Sequence, residues 1–149
     1  MLKDKWVRMY LDFAKRLSEE SHAVRLKVGA LFVSEDGVMS SGINGLPAGG
    51  SNKCETKNFL DNNTIELLTK PEVSHAEENL FGKLMRQGVS TKNGSLFLTH
   101  SPCINCSKTI VQAGIKTVFY IEDYRSLDGV DWLRQNKVEV IKRENNANL

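Results

Sequence analysis

Two short strings in this 149-residue chain combine residue types that bind metals and move protons: Ser74-His75-Ala76-Glu77-Glu78-Asn79 and Ser101-Pro102-Cys103-Ile104-Asn105-Cys106. Each opens a stretch whose pattern predicts a helix. A helix N-terminus presents unpaired N–H groups and the positive end of the dipole, which favours thiolate, the form of cysteine that binds metal. Cys103 and Cys106, three apart, fall on one face of a first turn and can grip one ion together. His75 adds a third ligand suited to zinc. Three protein ligands without an obvious fourth make the pattern of a catalytic zinc with one open position, whereas a structural zinc closes with four. Two thiolates cancel the charge of Zn²⁺, so a water held there needs help from a neighbouring base. Glu77, two residues after His75, is placed to be that base.

Each string also has a purely structural reading. Ser74-x-x-Glu77 fits a capping box in which the carboxylate bonds back to the Ser74 amide. Ser101-Pro102 fits an N-cap followed by proline at the first helical position. A Cys-x-x-Cys beside a strand also suits a redox pair, but that reading leaves His75 and Glu77 unexplained. A non-catalytic zinc-binding module is the rival from another class, and it would have no use for Glu77. The chain holds three cysteines, an odd count that argues against a disulfide framework. With two of them on one zinc per chain, Cys54 is left as a loop thiol.

Periodicity predicts the elements that must position these strings. Trp6, Met9, Tyr10, Phe13 and Leu17 recur at helical spacing with charged residues opposite, which predicts an amphipathic helix packed through that face. The runs 28–33 and 38–43, joined by Glu35-Asp36-Gly37, predict a hairpin. Residues 44–63 break all periodicity and hold Gly45, Pro47, Gly49 and Gly50, which predicts a long loop. From Ser74 onward helix and strand alternate, with helices over 74–87, 103–113 and 127–135 and strands over 95–100, 116–121 and 138–142. Such alternation implies an α/β sheet covered by helices, parallel in its second half. One domain over 1–149, ending in a polar tail at 143–149, is the expectation.

Composition narrows the partners. Twenty Lys and Arg against eighteen Asp and Glu leave +2, short of the basic stripe that nucleic-acid binding favours. No apolar run approaches the roughly 20 residues of a membrane span. Residues 1–10 carry charges every two or three positions, unlike a signal peptide or an anchor. The expected setting is the cytoplasm, and the expected partner is a small molecule, with no nucleic acid and no membrane.

His-x-Glu followed by Pro-Cys-x-x-Cys is the signature of zinc nucleobase deaminases. The chain resembles the cytidine and deoxycytidylate deaminase superfamily, and within it the deoxycytidylate (dCMP) deaminases, phage-encoded members above all. Four matches carry this resemblance, over roughly residues 9–124: Arg25-Leu26-Lys27-Val28-Gly29-Ala30, Gly42-Ile43-Asn44-Gly45-Leu46-Pro47-Ala48-Gly49-Gly50, His75-Ala76-Glu77-Glu78-Asn79, and the string Ser101–Cys106. The last two are superfamily-wide, and the second singles out the dCMP branch.

The resemblance implies a three-layer αβα, cytidine-deaminase-like fold with a five-stranded mixed sheet, usually in a homo-oligomer, a hexamer. It implies zinc-dependent hydrolysis of dCMP to dUMP and ammonia, supplying dUMP for dTTP synthesis, in the host cytoplasm if the chain is phage-encoded. His75, Cys103 and Cys106 would hold the zinc, and Glu77 would carry a proton from water to ring N3 and then to the leaving amine. Asn44 matches a residue that contacts the sugar. The Ser101 carbonyl, just before Pro102, matches the acceptor for the cytosine amine. Arg25, Lys27 and Tyr124 match groups near the 5′-phosphate, although a solvated strand edge would also account for Arg25 and Lys27. Activation by dCTP and inhibition by dTTP, with Mg²⁺ accompanying the nucleotide, are implied for a site around Gly42, Ile43, Asn44, Gly45 and Gly50. Ile43 stands where the family usually has tyrosine, which removes one aromatic contact to an effector base. Branches acting on tRNA adenosine or a riboflavin precursor share the metal signature and remain the alternatives, whereas free-nucleoside cytidine deaminases usually place Cys at the position of His75.

Overall fold

A computed structural model describes residues 2–144, so the expected polar tail lies outside the described residues from position 145 on. The elements run α1 (Asp4–Ser18), β1 (Gly29–Val33), β2 (Met39–Ile43), β3 (Glu55–Phe59), β4 (Ile65–Thr69), α2 (Ala76–Gln87), β5 (Ser95–His100), α3 (Ile104–Gln112), β6 (Thr117–Glu122), α4 (Asp128–Gln135) and β7 (Glu139–Lys142). Among them, β2-β1-β5-β6-β7 form one mixed sheet in that order. β1 pairs antiparallel with β2 and β5, while β5, β6 and β7 are parallel. The hairpin and the parallel second half stand as the periodicity predicts.

Side chains on a strand alternate between faces, and here both faces are apolar because both are covered. Ala30, Phe32, Leu96, Leu98, Val118 and Tyr120 pack toward α2, α3 and α4. Leu31, Val33, Phe97, Phe119 and Ile121 pack toward α1. Two β–α–β crossovers step the same way along the sheet, β5 to β6 to β7, and the single hand that such units adopt puts α3 and α4 on one face. The result is the three-layer αβα arrangement.

Helix α1 is rotated from the expected face: of the expected stripe, Tyr10 and Leu17 are half-buried, Tyr10 against Phe97, and the rest face outward. Trp6, Met9 and Phe13 are 42%, 45% and 46% exposed, and the buried stripe is Val7, Leu11, Ala14 and Ser18. The reason is steric. A Cβ on Gly29 would collide with the Ala14 carbonyl oxygen, so helix and strand are in near backbone contact, which small residues permit and an aromatic stripe does not.

The region expected to be a loop over 44–63 contains half of a second sheet. β3 and β4 form a separate antiparallel hairpin with Glu55 opposite Thr69 and Phe59 opposite Ile65. Most of its residues are exposed, so it lacks the apolar alternation that betrays a half-buried strand. The turn chemistry of Asp61-Asn62-Asn63, with Asn63 at φ 60, was the available signal.

Gly42 on β2 is held against α2, where an added Cβ would meet the Ala76 carbonyl and the Leu80 amide. Gly42→Ala should therefore destabilise the protein by about 1–3 kcal/mol. The measure is a urea midpoint that falls at constant slope, and an unmoved midpoint would contradict the close packing.

Candidate active site

Two helix starts and the carboxyl ends of β5 and β6 build the site. The chain leaving β5 is tied to the chain leaving β6: Ser101 N–H donates to the Glu122 carbonyl at 2.8 Å, and Ser101 Oγ accepts from Tyr124 N–H at 2.7 Å. Cys103, rather than Ser101, caps α3, its Sγ accepting from Cys106 N–H at 3.4 Å. The Pro102 carbonyl lies against Gly129, whose lack of a Cβ lets the start of α4 come this close.

At α2 the capping box offered by the structural reading is displaced by one residue. His75 is the N-cap, and its N–H donates to Glu78 Oε1 at 2.9 Å, while Ser74 exchanges backbone hydrogen bonds with Gly45 at 3.0 Å. Glu78 thus takes the capping role that the purely structural reading of the string would have given Glu77. This leaves the Glu77 carboxyl without a cap to serve, although it is only 4% exposed.

His75 Nδ1 lies 3.5 Å from Cys103 Sγ and 3.4 Å from Cys106 Sγ. Tetrahedral zinc with ordinary Zn–S and Zn–N lengths spaces nitrogen and sulfur ligands about 3.6 Å apart, so the donor set fits that ion. Among the described residues, this trio is the one group of three potential ligands found together, its donor atoms all within 4.8 Å of one another. Hydrogen bonds from Cys106 and His75 pull the Cys103 thiol down to about 3. The adjacent Cys103 sulfur and burial push Cys106 up, and the bond to Cys103 holds His75 up at about 9. A metal takes cysteine as thiolate and histidine as neutral imidazole, so a cation taken up here displaces the protons that these groups carry. Burial pushes Glu77 up to about 7, where a carboxyl can both accept and donate a proton near neutral pH.

These groups open into a cavity of about 450 Å³ whose wall includes Arg25, Asn44, Glu55, His75, Glu77, His100, Ser101, Cys103, Tyr124 and Arg125. Most of the residues singled out from sequence therefore meet. Lys27 does not line this cavity, and its ammonium donates to the Glu19 carbonyl at 3.3 Å. Pro102 is likewise absent from the wall. The Asn44 side chain bridges the backbone before β1, donating to the Leu26 carbonyl at 2.8 Å and accepting from Val28 N–H at 2.9 Å. Of the glycine-rich segment, Asn44 alone reaches the cavity wall. Gly42 is packed on α2, the Ile43 carbonyl accepts from Asn79 Nδ2 at 2.7 Å, Gly45 pairs with Ser74, and Gly50 N–H donates to the Pro47 carbonyl at 3.2 Å.

Arg125 is one of the wall residues that sequence reasoning missed, along with Glu55 and His100. It follows Tyr124, with its guanidinium 5.9 Å from that ring, within cation–π range. Its position just past the carboxyl end of a parallel strand, where α/β sheets bind ligands, was the signal. His100 Nε2 sits 3.2 Å from Glu122 Oε2, and burial lowers its pKa.

A three-layer α/β fold with a His-Cys-Cys trio beside a buried carboxyl defines a zinc-binding deaminase class. Residues 4–122 match the family described as cytidine and deoxycytidylate deaminase zinc-binding region, and the chain belongs to that family. It is 36% identical over 123 residues to the ComE operon protein 2 of Bacillus subtilis, spanning 81% of this chain and 61% of that protein. It is 32% identical over 147 residues to the deoxycytidylate deaminase of Enterobacteria phage T4, spanning 76% of each. A solved dCMP deaminase from the cyanophage S-TIM5, in complex with dCMP and dUMP, is similar at a TM-score of 0.84 and 40% identity, covering 96% of this chain and 100% of that one. No helix among the described residues is long and apolar enough to cross a membrane.

A buried carboxyl at about 7, against an ordinary 4.5, opposes folding increasingly as pH rises through that interval, because the unfolded chain loses its proton first. In the metal-free protein, Glu77→Gln should therefore raise Tm relative to wild type more at pH 8 than at pH 5. Thermal melts at the two pH values check this, and equal shifts would contradict the burial of an ionisable group here.

Proposed function

We propose that the protein is a zinc-dependent enzyme that hydrolyses dCMP to dUMP and ammonia. One observation carries the reading: a single cavity brings His75, Cys103 and the buried Glu77 together with two arginines, Arg25 and Arg125, on its wall, and Cys106 completes the donor set beside it. The volume suits a mononucleotide. Likeness to phage proteins named for dCMP deamination supports the choice of substrate.

His75, Cys103 and Cys106 would hold the ion, and zinc when bound supplies a Lewis acid that acidifies the attacking water. Glu77 takes a proton from that water as its oxygen adds to C4 of cytosine. It delivers this proton to ring N3, and then carries the second water proton to the departing amine, which leaves as ammonia. A carboxyl near neutrality suits both transfers. The Ser101 carbonyl accepts from the amine before it leaves, and Asn44 faces the sugar while bracing the segment before β1. Tyr124, with Arg25 and Arg125, receives the 5′-phosphate. Lys27 acts in this reading only through the loop it braces.

Assembly into a homo-oligomer, and control by dCTP and dTTP with Mg²⁺ at residues 42–50, belong to the same reading. Substrate titration with and without dCTP and Mg²⁺ tests the control: a sigmoidal curve made hyperbolic by dCTP supports it, and a hyperbolic curve unmoved by either nucleotide removes it.

Ammonia release from dCMP and deoxycytidine tests the main reading. Glu77→Gln should retain zinc and lose roughly 10³-fold or more in kcat. Arg125→Ala should raise KM for dCMP about tenfold, the loss of a charge-assisted contact, and leave deoxycytidine turnover unchanged. Equal wild-type efficiency on the two substrates would refute the phosphate role of the arginines.

A further inference from the structure

Residues 21–28, between α1 and β1, lie outside any helix or strand, and several of their backbone groups are satisfied by side chains that reach in from elsewhere. Asn44 grips one end of this segment, at Leu26 and Val28. The other end is gripped from β3. Glu55 Oε1 accepts from Val24 N–H at 2.7 Å and from Arg25 N–H at 3.1 Å. Thr69, opposite Glu55 in the hairpin register, accepts from the Arg25 guanidinium at 3.1 Å through Oγ1. One cross-strand pair thus holds Arg25 by its backbone and by its side chain, and all three residues line the cavity.

We propose that Glu55 is a positioning residue: by accepting both amides it fixes Arg25 on the cavity wall as the anchor for the 5′-phosphate. The inference rests on reading the cavity as a nucleotide site. It explains a placement that charge alone does not favour, since a carboxylate on the wall of a phosphate pocket repels the ligand. What the position requires is one oxygen that takes two N–H donors, and an ionised carboxylate does this strongly. A glutamine carbonyl has the same reach and the same two lone pairs. An alanine leaves both amides to water and the segment free to swing Arg25 away.

Steady-state kinetics on dCMP and deoxycytidine, with zinc-loaded protein, separate these roles. Glu55→Ala should raise KM for dCMP about tenfold with kcat nearly unchanged and deoxycytidine unaffected. Glu55→Gln should stay at or below the wild-type KM. In an Arg25→Ala background, Glu55→Ala should add less than about twofold, because the two act through one contact. Losses that multiply in the double variant, a Gln variant as impaired as the Ala variant, or equal impairment on deoxycytidine would overturn the proposal. Hydrogen exchange reads the contact without turnover: Glu55→Ala should lose protection at Val24 and Arg25 and keep it in the five-stranded sheet. Protection retained at those two amides, or lost throughout the chain, would overturn it as well. A wild type that does not deaminate dCMP refutes the underlying functional reading, and that failure is visible before any Glu55 variant is compared.

Discussion

The starts of α2 and α3 meet at His75 and Cys103, and the rest of the site is arranged around that meeting. Each is the N-cap of its helix, so each leaves extended backbone at the point where the chain turns into regular structure. Two helix N-termini converge there, and the positive end of each helix favours the thiolate that a dication needs. For the two ends to meet, α2 must press onto β2 and α4 must press onto the chain leading into α3. Gly42 and Gly129 make those approaches sterically open. The sheet supplies the rigidity, with Ser101 lashing together the ends of its two central parallel strands.

Capping also explains how one stretch of helix serves two ends. The first turn of α2 carries two adjacent carboxylates, and they take opposite fates. Glu78 closes the cap on His75 from the solvent side. Glu77, about 100° further round the helix, is carried inward and stripped of water. Burial outweighs the hydrogen bonds and the neighbouring His75 that pull the other way, and so raises its affinity for protons above that of an ordinary glutamate; the chemistry proposed for it depends on that difference.

How much of this was legible in the sequence follows from how local each signal is. The metal trio and Glu77 were readable because their spacing is short and their residue types are few. The sheet from β5 onward was readable because each strand is buried on both faces and each helix on one. The face of α1 was misread because Trp6, Met9 and Phe13 are the more hydrophobic stripe, while the packed stripe was chosen by how near Ala14 can come to Gly29. The β3–β4 hairpin escaped because it buries little, and its role lies in hydrogen bonds spanning some thirty residues. Ser74-x-x-Glu77 was a sound capping pattern defeated by a one-residue shift, which only the bridge between Gly45 and Ser74 decides. Lys27 and Arg125 show the same limit. A cation in the right segment need not face the cavity, and one that does can lie a hundred residues away.

The β3–β4 hairpin adds no strand to the main sheet and contributes no residue to the metal trio. It nevertheless supplies Glu55 and Thr69 to the cavity wall. One part of the cavity wall is therefore carried on a stretch of chain separate from the one that holds the trio. An excursion of this kind can lengthen, shorten or change sequence while the helix starts beneath it stay put. Descendants of one ancestral scaffold could then diverge in what they select while inheriting the bond-breaking apparatus intact.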